Sequence, residues 1–237
     1  MDYMVNTPAI AIIPARGASK RIPRKNIVDW FGKPMIAQTI EAALTSHLFS
    51  QVVVSTDDQE IADIAVQCGA SVPFLRKKFA DDKTAISQVT MHTIQELERR
   101  KIGHFNTVVQ LMANCPLRTA ADVSAAYQHF LSANAQFQIS CVKFGWLNPW
   151  WAFTMDANHQ AKYLFPAKLT QRSQDQPDLF CPTGAIWIAN KTSLLFQKTF
   201  YGTDCTFFEI GWDHAIDIDT YQDLAWAKSI YAQQIDG

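Results

Sequence analysis

Residues 14 to 26 read Pro-Ala-Arg-Gly-Ala-Ser-Lys-Arg-Ile-Pro-Arg-Lys-Asn, placing five cations, Arg16, Lys20, Arg21, Arg24 and Lys25, within ten residues. Gly17, Ala18 and Ser19 leave the backbone between them uncrowded. A triphosphate needs both features: open N–H groups to receive its oxygens, and fixed cations to offset charge developing on departing pyrophosphate. The stretch matches neither the P-loop pattern nor the dinucleotide fingerprint. Its bland alternative is a solvated basic turn.

A second constellation lies near the end of the chain, in Ile216-Asp217-Ile218-Asp219-Thr220. In an extended segment residues two apart point the same way, so Asp217 and Asp219 converge while Ile216 and Ile218 enter the core. Paired carboxylates suit Mg²⁺, which shares its coordination shell with substrate phosphates. Asp219 has an alternative role as the cap of a following helix; Asp217 has none comparable. No Ser/His/Asp arrangement is visible. The histidines, His47, His92, His104, His129, His159 and His214, are scattered, and only His214 lies near the aspartates. Cys68, Cys115, Cys141, Cys181 and Cys205 lie far apart without metal-ligand spacing, as reduced thiols of a cytoplasmic protein would.

The elements that must hold these groups follow from hydrophobic pattern. Ala9 to Ile13 is continuously apolar, as in a strand buried on both faces. Helical spacing over Ile36 to Leu48 and the strand Val52 to Val54 complete a strand, helix, strand unit. The pattern predicts further helices over 58–68, 84–101, 122–131 and 219–234, and strands over 72–75, 107–112, 137–142, 184–189 and 207–210. The alternation argues for α/β architecture, a mostly parallel sheet sandwiched by helices, with ligands beyond the carboxyl ends of the strands. Residues 145–180 break the rhythm with Pro149, Pro166 and Pro177, and read as an insertion because three of the seven tryptophans, Trp146, Trp150 and Trp151, stand at its start.

The 237 residues, 48% hydrophobic, suffice for one sizeable core, so a single domain over 1–237 is expected. A net charge of −1 with dispersed cations excludes the basic surface of a nucleic-acid binder. No apolar run of about 18 residues occurs and no exported leader is visible, so a soluble, cytoplasmic protein away from membranes is expected.

The basic loop resembles the signature of the CMP-acylneuraminate synthetases, the sialic-acid-activating branch of the sugar nucleotidyltransferases. Ser55-Thr56-Asp57, Cys115-Pro116-Leu117-Arg118-Thr119, Pro182-Thr183-Gly184-Ala185-Ile186 and Ile216 to Thr220 follow in the family's order, so the similarity spans about residues 9 to 235. The resemblance implies a Rossmann-like fold of the nucleotide-diphospho-sugar transferase type. The implied reaction moves CMP from CTP to the anomeric hydroxyl of a nine-carbon acidic sugar with Mg²⁺ as cofactor, releasing pyrophosphate. It further implies catalytic roles for Arg16, Lys25, Asp217 and Asp219, the last two as metal ligands. Arg16, Gly17, Ser19, Lys20, Lys25 and Asn26 match the nucleotide-binding loop, and Arg76, Ala85 and Ser87 the cytosine-recognising region, although Lys83 occupies an extra position. The sugar side corresponds to Met112, Asn114, Trp150, Arg172, Gln174, Cys181, Thr183 and Trp187, with Arg172 matched to the sugar carboxylate. A homodimer is implied, the insertion packing on the other subunit and completing its sugar site.

The sugar side departs from the family. Met112-Ala113-Asn114-Cys115 stands where a Gln-Pro-Thr-Ser run is typical, and Cys181-Pro182-Thr183 where Arg-Pro-Asn is. Losing hydrogen-bonding groups there favours a deoxygenated relative of sialic acid, such as pseudaminic or legionaminic acid, because unpaired buried polar groups are costly. The alternatives are a synthetase for an eight-carbon acidic sugar of the Kdo kind and a non-catalytic nucleotide-binding paralogue. For Trp150, Trp151 and Trp187 ordinary packing is the competing role.

Overall fold

A computed structural model describes residues 8–81 and 84–236; Lys83 therefore lies outside the described residues. The chain opens with β1 (Ala9–Pro14), every residue of which is buried. A loop and a 3-10 turn at 25–27 lead to the two-stranded antiparallel ribbon of β2 (Asp29–Trp30) and β3 (Lys33–Pro34). Then follow α1 (Ile36–Thr45), β4 (Phe49–Ser55), α2 (Gln59–Gln67), α3 (Ile86–Arg99), β5 (Thr107–Gln110), α4 (Ala120–Ser132) and β6 (Phe137–Lys143). A hairpin of β7 (Phe153–Met155) and β8 (Ala161–Tyr163) occupies the 145–180 excursion. The chain closes with β9 (Phe180–Asn190), α5 (Lys191–Gln197), β10 (Cys205–Glu209) and α6 (Tyr221–Asp236).

The main sheet runs in the order β10-β6-β9-β5-β1-β4. Only β9 is antiparallel to its neighbours, so the mostly parallel expectation holds. Alternation along β1 explains why its sequence is apolar throughout. Ala9, Ala11 and Ile13 pack with Ile36 and Ile40 of α1 and Val123 of α4, while Ile10 and Ile12 pack with Ile94 and Leu97 of α3. A third cluster joins Ile22 of the basic loop to Ile218 and to Leu224 and Ala227 of α6. Both chemical constellations are thus anchored in one apolar knot.

Local chemistry sets the helix ends. Asp58 caps α2 by accepting from the Ile61 N–H at 3.0 Å, and Gly69, with φ +93°, follows its end. Thr119 and Asp122 form a capping box for α4. The strand expected over 72–75 does not form. Only an isolated bridge from Ser71 to Val53 is made, and Pro73 has no N–H to extend the ladder. Helix α5 and the β2–β3 ribbon were not anticipated. Among the described residues no helix is long and apolar enough to cross a membrane.

Candidate active site

Two adjoining cavities open beyond the carboxyl ends of β1 and β5. The first, about 300 Å³, is lined by Arg16, Lys25, Asn26, Arg76, Met112, Asn114, Asp217 and Asp219 among others. The second, about 310 Å³, is lined by Arg16, Ser19, Lys20, Arg21, Ile22, Lys25 and Asp219. Arg16, Lys25 and Asp219 face both.

The basic loop is held from beneath. Asn26, buried, donates to the Arg16 carbonyl at 2.9 Å, and the Gly17 N–H donates to Asp57 Oδ1 at 3.1 Å. A Cβ at Gly17 would stand 2.5 Å from Asp58 Oδ2, so the close approach of β4's terminal loop requires glycine here. Of the five cations expected to meet phosphate, Arg24 is turned away. Its backbone is left-handed, with φ 54°, and its guanidinium forms paired bonds to Asp58 at 3.2 and 3.0 Å and reaches Glu60 at 2.6 Å.

The aspartate segment behaves as the alternation predicts. Ile218 is fully buried, its N–H donates to the Asn114 carbonyl at 2.9 Å, and both carboxylates reach the first cavity. Thr220, not Asp219, caps α6 in a reciprocal arrangement with Asp223, leaving the Asp219 carboxylate to other partners. Lys25 Nζ donates to Asp219 Oδ1 at 2.7 Å and to the Ile218 carbonyl at 2.8 Å, and Arg21 Nη2 donates to Asp219 Oδ2 at 2.6 Å. Burial opposes ionisation of Asp219, but these two cations outweigh it and hold its carboxyl below the usual range. Asp217 is open to the cleft on one side yet walled by protein on the others. Burial, reinforced by the Asp219 charge, pushes its carboxyl up to about 6.

Among the described residues no group of three or more acidic, histidine or cysteine side chains could cage a metal. A pair of carboxylates beside a cationic loop instead fits Mg²⁺, which binds through one or two carboxylates, its own waters and substrate phosphates.

Arg76, buried, lines the first cavity; its Nη1 donates to the Ser55 carbonyl at 2.7 Å and to Ser55 Oγ at 3.0 Å, and Asp57 lies 3.8 Å from Nη2. From the start of α3 the cavity-facing residues are Thr84, Ile86 and Val89. Ala85 instead precedes the helix, and Ser87 is buried within it.

The sugar-side expectations divide. Met112 lines the first cavity. Asn114 does too, but its side-chain amide donates to Asp217 Oδ1 and, at 3.2 Å, to the Ile218 carbonyl, so it holds the aspartate segment. Trp150, Arg172, Gln174, Cys181, Thr183 and Trp187 line neither cavity. The Trp187 indole N–H donates to the Thr183 carbonyl at 2.6 Å and its ring packs on Phe200 and Tyr201, a packing role. Thr183 Oγ1 bonds Ser140 Oγ at 2.7 Å. Trp150 packs on Phe165 and donates to the Pro177 carbonyl, and Arg172 pairs with Asp175 on the exposed excursion. His214 faces Asp122 at 2.9 Å rather than the aspartate pair.

Two supporting residues were not foreseen. Arg118, fully buried, donates to the Ala185 carbonyl at 2.7 Å and to the Met112 carbonyl at 3.3 Å, tying β9 to the loop after β5. Gly184 gives Asp217 its clearance: a Cβ there would lie 3.2 Å from Met112 Cγ and 3.4 Å from Asp217 Oδ2. Both stand within the motifs that carry the family resemblance, but their supporting roles do not show there, because both act through contacts distant in sequence.

Fold and site together define a nucleotide-transferring α/β protein, and the chain belongs to the cytidylyltransferase family, whose model matches residues 10–221. A pseudaminic acid cytidylyltransferase of Campylobacter jejuni is 35% identical over 223 residues, covering 94% of this chain and 95% of that protein. A CMP-N,N'-diacetyllegionaminic acid synthase of Legionella pneumophila is 31% identical over 227 residues, covering 93% and 95%. The solved structure of a CMP:2-keto-3-deoxy-manno-octonic acid synthetase complexed with CTP shares the fold, with TM-score 0.71 at 17% identity over 96% of this chain and 100% of that one.

Proposed function

We propose that this protein, acting in the cytoplasm, transfers CMP from CTP to the anomeric hydroxyl of a nine-carbon acidic sugar of the pseudaminic or legionaminic type. The observation that carries the reading is that Arg16, Lys25 and Asp219 face both cavities while Asp217 lines the first. One cavity then holds the nucleoside and reacting α-phosphate, and the other the departing pyrophosphate. The sugar oxygen bonds to the α-phosphorus, the bond from that phosphorus to the oxygen bridging it to the β-phosphate breaks so that this oxygen leaves with pyrophosphate, and the hydroxyl proton passes to water. Arg16 and Lys25 orient the phosphates and offset charge on the leaving group, so positioning and electrostatics supply most of the rate. Mg²⁺, held by Asp217 and Asp219, would supply further neutralisation of phosphate oxygens. Arg76, buried at the cavity wall, is the residue we assign to the cytosine end.

The named relatives and the thioether of Met112 in the cavity wall support a deoxygenated acceptor over sialic acid itself. The test is pyrophosphate release with CTP and Mg²⁺ across pseudaminic, legionaminic, N-acetylneuraminic and eight-carbon Kdo acceptors. Turnover confined to the first two is expected. Turnover with Kdo alone, or with none, overturns the assignment.

We further propose a homodimer built on the excursion. Trp150 and Phe165 pack on each other, but Trp146 is 87% exposed, and Phe153 and Met155 of the hairpin and the neighbouring Leu164 are exposed as well. That much apolar surface in one segment is what a partner covers. Arg172, outside its own chain's cavities, then serves the neighbouring sugar site.

A further inference from the structure

The carboxylate that should receive a metal already holds two cations. Asp219 accepts Lys25 on Oδ1 at 2.7 Å and Arg21 on Oδ2 at 2.6 Å. The two cations are not equivalent. Lys25 is largely enclosed, 16% exposed, and is fixed a second time by the Ile218 carbonyl, so it forms part of the wall between the cavities. Arg21 is 63% exposed and projects from the loop whose Arg16, Ser19 and Lys20 line the second cavity with it. An exposed ion pair contributes little net stability and exchanges readily, because both charges are nearly as well served by water. A guanidinium also matches phosphate as well as carboxylate, presenting two parallel N–H donors to either.

We propose that Arg21 is an exchangeable counter-ion for Asp219. When a divalent metal arrives with the nucleotide, Asp219 Oδ2 passes to the metal, and Arg21 passes to the phosphate oxygens in the second cavity. The inference rests on the nucleotide-and-metal reading of the site. Its consequence is coupling. Metal alone must displace Arg21 without offering it a new partner, and nucleotide alone must compete with Asp219 for Arg21 while meeting that carboxylate's charge. Bound together, each ligand releases what the other needs. Linkage requires the effect to be reciprocal, and such couplings commonly amount to roughly 5- to 150-fold in affinity.

The test compares the parent with Arg21→Gln, a change at an exposed loop position, and with Arg21→Lys. Mn²⁺ binding to the nucleotide-free protein is followed by electron paramagnetic resonance of the free ion. CTP binding is followed by calorimetry in EDTA and in saturating Mg²⁺, without sugar. Arg21→Gln is expected to bind Mn²⁺ alone more tightly than the parent, on the order of two- to fivefold, and to bind CTP more weakly in Mg²⁺. Arg21→Lys is expected to fall between. Opposite shifts in the two affinities mark the exchange. An Arg21→Gln protein whose Mn²⁺ affinity is unchanged while CTP binding weakens would make Arg21 a plain phosphate contact, and weakening of both would make its role structural; either overturns the proposal. A parent that binds no CTP even in Mg²⁺ overturns the nucleotide reading itself, and this inference with it.

Discussion

Asn114 donates its side-chain amide to the carboxylate of Asp217, bridging the loop after β5 to the segment before α6. The same amide reaches the Ile218 carbonyl, and the Ile218 N–H returns to the Asn114 carbonyl, so one residue fixes the aspartate segment by side chain and backbone together. Groups that orient a ligating carboxylate typically change metal affinity or activity by about 10- to 100-fold when removed. Asn114→Ala is therefore expected to lower kcat by that order with circular dichroism unchanged. Turnover within twofold of the parent would leave Asp217 positioned by its backbone alone.

Asp217 carries a pH signature. The folded, metal-free protein binds a proton there at about pH 6, whereas the unfolded chain releases it near pH 4. This group therefore favours folding below the ordinary carboxylate range, and that contribution is lost as pH rises through about 6. Asp217→Asn removes the charge at nearly constant volume. In chelator-treated samples the variant should melt above the parent at about pH 8, and the gap should close by about pH 4. Turnover should fall severely, as for Asp219→Asn. A variant that melts below the parent at the higher pH would contradict the burial assigned to this carboxylate.

At Gly17 the constraint is steric. A side chain there must displace Asp58 or the loop itself, because the Cβ position lies 2.5 Å from Asp58 Oδ2 and 2.9 Å from its Cβ. Small displacements of groups that position a reacting phosphate are expensive, so Gly17→Ala is expected to cost roughly tenfold to a hundredfold in kcat/KM for CTP. Steady-state kinetics at saturating acceptor measures it, and parental kcat/KM would mean that the loop relaxes freely.

How far the site could be read from sequence depended on the range of the forces. The burial of β1 and the direction of Asp217 and Asp219 follow from period-two alternation, so there the local pattern was sufficient, whereas the α6 cap falls to Thr220 and not to Asp219, the cap the sequence offered. Arg24 looks equivalent to Arg16 in sequence, and only its left-handed backbone and the approach of Asp58 and Glu60 turn it away. Asn114 and Arg118 act on residues 103 and 67 positions distant, which no window reveals. Trp187 was matched to the sugar side by the family resemblance, whereas its indole is satisfied by the Thr183 carbonyl.

The proposed exchange of sugar-site residues between subunits predicts complementation. Asp217→Asn and Arg172→Ala subunits, each inactive alone, should recover turnover when mixed under conditions that exchange subunits, since one site of the mixed dimer then holds both intact residues. Sedimentation at micromolar concentration checks the dimer itself. A fully active monomer, or no recovery despite exchange, would confine Arg172 to its own chain.

The reversed direction of β9 has a consequence for how this protein can diversify. Strand β6 leaves the sheet at Lys143 and β9 enters at Phe180, and these two residues are paired in register at the same edge. The excursion between them therefore stands on two adjacent feet. Its length and content can change without shifting a single pairing in the sheet, a condition under which insertions are readily tolerated. Lineages could thus exchange this one removable module while the loop after β1 and the aspartate segment stay as they are. Acceptor preference and subunit pairing would then vary together, as a single inherited unit.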